Sequence, residues 1–151
     1  MMKRIFILLI SILCLALSVS AQKSVSGNWS WERKPDKEKV QYMFSLDIKQ
    51  TGNKVEGGIS VYFDDPNGED GSDSPVTPFI GTVGGDAITI EFDAEDTSPF
   101  DGSPLPKYVR RKGGAPNTAT LRLVGGKLEY TQTKGSIGKE YPRKFTLNRN
   151  K

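Results

Sequence analysis

Oxygen-bearing side chains crowd one stretch of this chain and are the first place to look for chemistry. Asp64, Asp65, Asn67, Glu69, Asp70 and Asp73 fall within residues 64–78, a density of oxygen ligands that suits a hard cation such as Ca²⁺. Asp65, Asn67 and Glu69 alternate as the opening ligands of an EF-hand loop do. Gly71, however, comes one position late, and Val76 stands where the closing Glu belongs. The stretch therefore reads as a solvated acidic loop, and no metal is expected. Asp93, Glu95 and Asp96 supply the carboxylates that an acid–base hydrolysis would use, but no cleft signature accompanies them. Lys107, Arg110, Arg111 and Lys112, with Tyr108 among them, form a basic counterpart suited to an anion or an acidic partner.

Absences decide more than these clusters do. The chain has no histidine and a single cysteine, Cys14, so the commonest general base and metal ligand is missing. There is no G-x-S-x-G, no P-loop, and no S-x-x-K in a helical setting. The expectation is a protein without enzymatic activity and without a cofactor, with a carboxylate-based hydrolase as the third-ranked reading.

The first residues carry an address. Lys3 and Arg4 precede an apolar run from Ile5 to Val19, and Val19-Ser20-Ala21 matches a small-x-small cleavage pattern. Residues 1–21 are thus expected to be a signal peptide, removed to leave Gln22 first. The run is short for a membrane span. Cys14 follows Ser11-Ile12-Leu13, without the small residue that lipid attachment favours. The expected location is secreted or periplasmic, with no membrane attachment after cleavage. Cleavage would also remove Cys14, leaving no disulfide, thiolate or zinc site.

Residues 22–151 suit one domain. Their charge is nearly balanced, 19 basic residues against 18 acidic, which gives no ground for a nucleic-acid partner. The balance hides a split. Residues 22–101 carry 7 basic and 16 acidic side chains, whereas residues 102–151 carry 12 basic and 2 acidic. Surface pairs add little stability each, so this split concerns orientation and partners more than folding.

The elements that must position these groups are strands. Val40, Tyr42, Phe44, Leu46 and Ile48 alternate with polar residues. Thr51-Gly52-Asn53 then turns the chain, and Val55, Ile59, Val61 and Phe63 resume the alternation. Period two with a Gly-containing turn specifies a hairpin. The same pattern recurs at residues 79–92 around Gly84-Gly85-Asp86 and at residues 119–132 around Gly125-Gly126. A short strand at Gly27–Trp31 precedes the first hairpin, and a last strand from Tyr141 to Asn148 closes the chain. Eight sequential strands joined largely by hairpins predict an all-β domain, a single antiparallel up-and-down eight-stranded barrel, with a two-sheet β-sandwich as the alternative. The residues expected to face inward are Trp31, Tyr42, Phe44, Leu46, Ile59, Val61, Ile90, Leu121, Tyr130 and Phe145. Gly57 and Gly81 are expected to leave gaps among them.

Gly27-Asn28-Trp29 on the first strand, the strand count and the basic residues near the last strand together resemble the calycin superfamily of lipocalins, fatty-acid-binding proteins and avidins. The resemblance implies that Trp29 packs beneath an arginine of the last strand, Arg143 or Arg149, to close the barrel base. It also implies a secreted binding protein holding a small apolar molecule in its lumen, against Trp31, Tyr42, Phe44, Tyr130 and Phe145. The alternative is an interaction or inhibitor module that engages an exported protein through the loops at 64–78 and 93–117. An open lumen favours the first reading and a filled one the second.

Overall fold

The alternation over residues 40–63 becomes a hairpin whose register runs without interruption from Gln41–Asp64 to Thr51–Lys54. It is the first of three such hairpins in the computed structural model, which describes residues 24–35, 37, 40–64, 68, 76–93 and 107–151. Eight strands follow in chain order: β1 (Gly27–Glu32), β2 (Gln41–Thr51), β3 (Lys54–Asp64), β4 (Thr77–Gly84), β5 (Ala87–Phe92), β6 (Asn117–Val124), β7 (Lys127–Lys134) and β8 (Lys144–Arg149). Each pairs antiparallel with the next, and β8 returns to β1, so the sheet closes into a barrel rather than folding into two layers. Closure removes the exposed edges that an open eight-stranded sheet would leave. The seam between β8 and β1 is short: Trp29 opposes Arg149 and Ser30 opposes Asn148. Beyond the ladder, the Asn150 amide donates to the Asn28 carbonyl and Ser30 Oγ bonds Asn150 Oδ1.

The two ends of this barrel differ in construction. At one end β2–β3, β4–β5 and β6–β7 are joined by the two-residue turns Gly52-Asn53, Gly85-Asp86 and Gly125-Gly126. Gly125 and Gly126 both have positive φ, 58° and 81°, which is what a tight hairpin matching the strand twist requires. At the other end the connections are residues 33–40, 65–76, 93–116 and 135–143. The first may be called the turn end and the second the loop end.

Alternation places one residue in two inside, and the middle of the barrel is filled; a small opening of about 180 Å³ lies among Val25, Val83, Ile88 and Leu123 at the turn end. Trp29, Ile90, Ala119, Leu121, Leu128, Tyr130 and Leu147 have 0% of their surface exposed. A void large enough for a ligand would leave its lining reachable by a water-sized sphere, and none of these side chains is reachable. An eight-stranded barrel is narrow enough for its own side chains to do this.

Gly57 and Gly81 do not leave gaps. A Cβ on Gly57 would lie 1.8 Å from the Asp47 carbonyl oxygen and 2.8 Å from Phe79 Cζ. One on Gly81 would lie 2.5 Å from the Thr89 carbonyl oxygen and 2.8 Å from both Ile90 Cγ2 and Val55 Cγ2. At both positions glycine lets neighbouring backbone and side chains close in, so the missing volume is already used.

The last strand is also shorter than its alternation suggests. Pairing resumes only where the Arg143 carbonyl accepts from the Gln132 amide, and β8 begins at Lys144. Pro142 has no N–H to give to a ladder, so Tyr141 belongs to the β7–β8 connection rather than to a strand.

Candidate functional site

At the turn end Trp29 and Arg149 come together. Val25, 3% exposed, lies just ahead of β1, and its amide donates to Gln50 Oε1. Trp29 Nε1 donates to the Val25 carbonyl at 2.8 Å, so the indole has its one polar atom satisfied while the ring is buried. The Arg149 guanidinium carbon sits 4.6 Å from the centre of that ring, and Nη2 donates to the Ser24 carbonyl. Arg143 lies at the opposite end instead, where its Nη2 reaches the Gln132 carbonyl at 3.4 Å. Proximity in sequence made the two arginines equivalent candidates; the six-residue span of β8 separates them.

The loop end is built from aromatic rings. Tyr130 stacks on Phe145, with centroids 4.8 Å apart and planes within 16°. Phe44 packs against both, at 5.0 Å and 4.9 Å. Phe145 meets Trp31 at 4.8 Å, Trp31 meets Tyr141 at 6.2 Å, Tyr141 meets Tyr42 at 5.9 Å, and Tyr42 meets Phe63 at 6.5 Å. These rings form a continuous column from the buried Tyr130 to Phe63, which is 50% exposed. Trp31 stands near the mouth, partly buried, rather than deep in the barrel, and Tyr42 is half-buried at the rim. Arg33 places its guanidinium 5.4 Å from the Tyr42 ring centre, a cation–π contact at the edge of solvent. Tyr62, also at this end, is 36% exposed.

Two tyrosines in the column have hydrogen-bond partners that the alternation gave no hint of. The Tyr130 hydroxyl donates to Gln132 Oε1, and Gln132 Nε2 passes the chain on to the Lys134 carbonyl at 2.6 Å. Gln132 is itself 5% exposed, so this is a satisfied polar pair inside an apolar barrel. The Tyr141 hydroxyl shares its proton between the Tyr62 carbonyl at 3.0 Å and the Met43 carbonyl at 3.3 Å. Burial raises the pKa of Tyr130. Burial chiefly, followed by the Glu140 carboxylate, pushes Tyr141 up to about 12.

The outer wall carries a separate groove of about 510 Å³ between strands β2–β4 and the segment at Lys107-Tyr108, lined by Asp47, Lys49, Glu56, Pro78 and Ile80. The Tyr108 hydroxyl is buried near Glu91 without a well-formed hydrogen bond, and burial, then Glu91, raises its pKa. Arg111, from the same segment, pairs with Asp93 at 3.1 Å. One carboxylate of the expected acid–base cluster is thereby engaged by a cation of the basic cluster. Arg122 and Asp86 make a longer pair at 3.9 Å. Both link the acidic half of the sequence to the basic half.

Asp64 at the end of β3, Arg110 and Lys112 are exposed, and the candidates outside the described residues are Asp65, Asn67, Glu69, Asp70 and Asp73 of the acidic loop, Glu95 and Asp96, and the whole of residues 1–21. Among the described residues no group of acidic, histidine or cysteine side chains could hold a metal ion. Comparison with protein-family models, with curated proteins and with solved structures finds no match to this chain. The site must therefore be read from its own geometry.

Proposed function

We propose that this is a non-enzymatic, exported, lipocalin-like binding domain whose filled barrel is a scaffold and whose loop end engages another protein. The observation that carries the reading is the contrast along the barrel axis. The middle of the barrel is closed to a water-sized sphere, while Trp31, Tyr42, Tyr62, Phe63 and Tyr141 with Arg33 stand partly uncovered at the loop end. Trp, Tyr and Arg are the side chains that most often dominate protein–protein binding energy, and aromatic patches with polar rims mark interaction surfaces. The unequal connections support the same end: two-residue turns on one side, four longer connections on the other, where binding residues on a rigid scaffold usually sit.

Holding an apolar molecule in the lumen would require the stacked set of Phe44, Tyr130 and Phe145 to separate, and the loss of contacts that those rings make at 4.8–5.0 Å. The calycin likeness is supported by the meander order and by Arg149 over Trp29. Export is supported by the leader pattern in residues 1–21, and the non-enzymatic reading by the absence of histidine.

The test uses two positions of equal exposure at opposite ends, Phe63 at 50% and Val124 at 52%. Each is replaced by the photo-cross-linker p-benzoylphenylalanine and irradiated in the exported protein fraction of the host. A discrete adduct from position 63 and none from position 124 is expected. Equal patterns from the two, or no adduct from either, would contradict the reading.

A further inference from the structure

Every ring in the loop-end column except one is carried by a strand. Trp31 comes from β1, Tyr42 and Phe44 from β2, Phe63 from β3, Tyr130 from β7 and Phe145 from β8, while Tyr141 comes from the β7–β8 connection. Remove that ring and the strands still define its place: two aromatic walls and a pair of acceptors. Trp31 lies 6.2 Å away at 57° and Tyr42 lies 5.9 Å away at 83°, tilted and edge-on arrangements that aromatic pairs prefer. The Tyr62 and Met43 carbonyls both accept from whatever donor sits there. Main-chain carbonyls cannot donate, so this place selects a flat ring bearing an O–H and discriminates against the same ring without one. The polar selectivity is fixed by backbone and does not depend on a mobile side chain.

We propose that the place filled by the Tyr141 ring is a binding site for a phenolic group, occupied in cis by the chain's own β7–β8 connection. The proposal deepens the loop-end reading and rests on it for biological context: the arriving phenol displaces Tyr141 and is held by Trp31, Tyr42 and the two carbonyls. Displacement requires the connection to move while the strands stay. Three of its hydrogen bonds are internal, Tyr141 amide to the Gly138 carbonyl and two between Ser136 and Gly138, while Ile137 packs against the core and stays in place as the hinge side of the movement. It returns to the ladder at Arg143, whose carbonyl accepts from Gln132. Between Gly138 and Arg143, the Tyr141 hydroxyl makes the bonds to β2 and β3. A competing phenol would replace those bonds in kind. Lys139 and Glu140 are exposed beside the ring and can follow it outward without losing burial.

A site whose competent state is populated only part of the time binds more weakly by that fraction, which gives the test its form. The two tryptophans are replaced biosynthetically by 5-fluorotryptophan, giving one ¹⁹F reporter in contact with the site at Trp31 and a second, without a ring contact to Tyr141, two residues back on β1 at Trp29. The Tyr141→Ala variant is titrated with p-cresol and with 4-methylanisole, which has the same ring and no donor. Expected is a saturable shift of the Trp31 resonance with p-cresol, larger than any shift of the Trp29 resonance. Binding of 4-methylanisole to the variant, and of p-cresol to the natural chain, should each be weaker by at least about tenfold. No saturable shift in the folded variant, equal affinity for the two ligands, or equal affinity of variant and natural chain overturns the proposal.

Tyr141→Phe serves if the alanine variant does not fold. It keeps the plug's ring but not its hydroxyl, so p-cresol should compete more easily and bind about fivefold more tightly than to the natural chain. Binding no tighter than to the natural chain overturns the proposal. A short acidic peptide with one tyrosine, titrated in parallel, separates the sources. Binding of both ligands assigns the site to a partner's tyrosine side chain, and binding of p-cresol alone assigns it to a free small phenol. If phenol binding fails while position 63 still cross-links a partner, the phenol site falls and the interaction reading stands.

Discussion

Replacing Trp29 tests the closure of the barrel directly, because the ring's environment is completely specified. It is 0% exposed, its Nε1 donates to the Val25 carbonyl at 2.8 Å, and Arg149 lies 4.6 Å from its centre. Deleting a buried large aromatic to alanine costs about 3–5 kcal/mol. The upper half of that range is expected here, because the Val25 carbonyl also loses its donor, worth about 1 kcal/mol. Against a typical domain stability of about 5–15 kcal/mol, Trp29→Ala should bring the chain close to unfolding. Arg149→Met keeps most of the side chain's length and removes its charge, so it should cost only about 0.5–1 kcal/mol, the size of an exposed cation–π contact. Combined with Trp29→Leu in a double-mutant cycle, the same substitution should show a coupling of about that size. Urea unfolding followed by far-ultraviolet circular dichroism reads all of these, since intrinsic fluorescence changes when Trp29 is lost. A cost below about 1 kcal/mol for Trp29→Ala, or zero coupling with Arg149, would refute the closure argument.

Three further outcomes follow from the interior. Gly57→Ala and Gly81→Ala should each destabilise by about 3 kcal/mol or more, because the new Cβ meets backbone oxygen at 1.8 Å and 2.5 Å and overpacking that backbone cannot relieve is costly; thermal melts of the two variants check this. Gln132→Leu strands the buried Tyr130 hydroxyl and should cost about 1–3 kcal/mol, whereas adding Tyr130→Phe should recover most of that loss in the same urea assay. Burial raises the pKa of Tyr130 and brings Tyr141 to about 12, so the folded chain keeps both phenolic protons after an unfolded chain has begun to lose them. That stabilisation is complete below the ordinary tyrosine value of about 10 and declines as pH rises through the folded values. Stability measured from pH 9 to 12 should fall, and the fall should be shallower in Tyr141→Phe.

The barrel was legible because its signal is local. Alternation at Val40–Phe63 with Gly52-Asn53 between its arms, and the Gly85-Asp86 and Gly125-Gly126 turns, define three hairpins that any antiparallel closure must contain. Whether strand eight reaches strand one is a long-range matter, and periodicity cannot distinguish a barrel from a sandwich. The G-x-W at Gly27–Trp29 pointed to closure but could not choose between Arg143 and Arg149, which differ by a whole strand length in space. Gly57 and Gly81 were misread because a missing side chain looks like space in a sequence, whereas in a coiled sheet it can record a close approach. Tyr141 was assigned to a strand because its alternation with Phe145 and Leu147 outweighed the proline beside it. Its role at the loop end depends on contacts with residues 31, 42, 43 and 62, more than 70 positions away in the chain. Gln132 gave no signal at all, since a polar residue at an inward position of a strand is legible only once its partner, Tyr130, is placed two residues earlier on the same face.

The claim at the centre of this account is that the chain's own side chains fill the barrel, leaving binding to the loop end. Native mass spectrometry of the folded natural chain with a saturated fatty acid, alongside tryptophan fluorescence over the same titration, tests it most directly. The packing of Phe44, Tyr130 and Phe145, and the 0% exposure of Leu121 and Leu147, predict only the unliganded mass and no saturable quenching. A stoichiometric bound acyl chain with saturable quenching would contradict it.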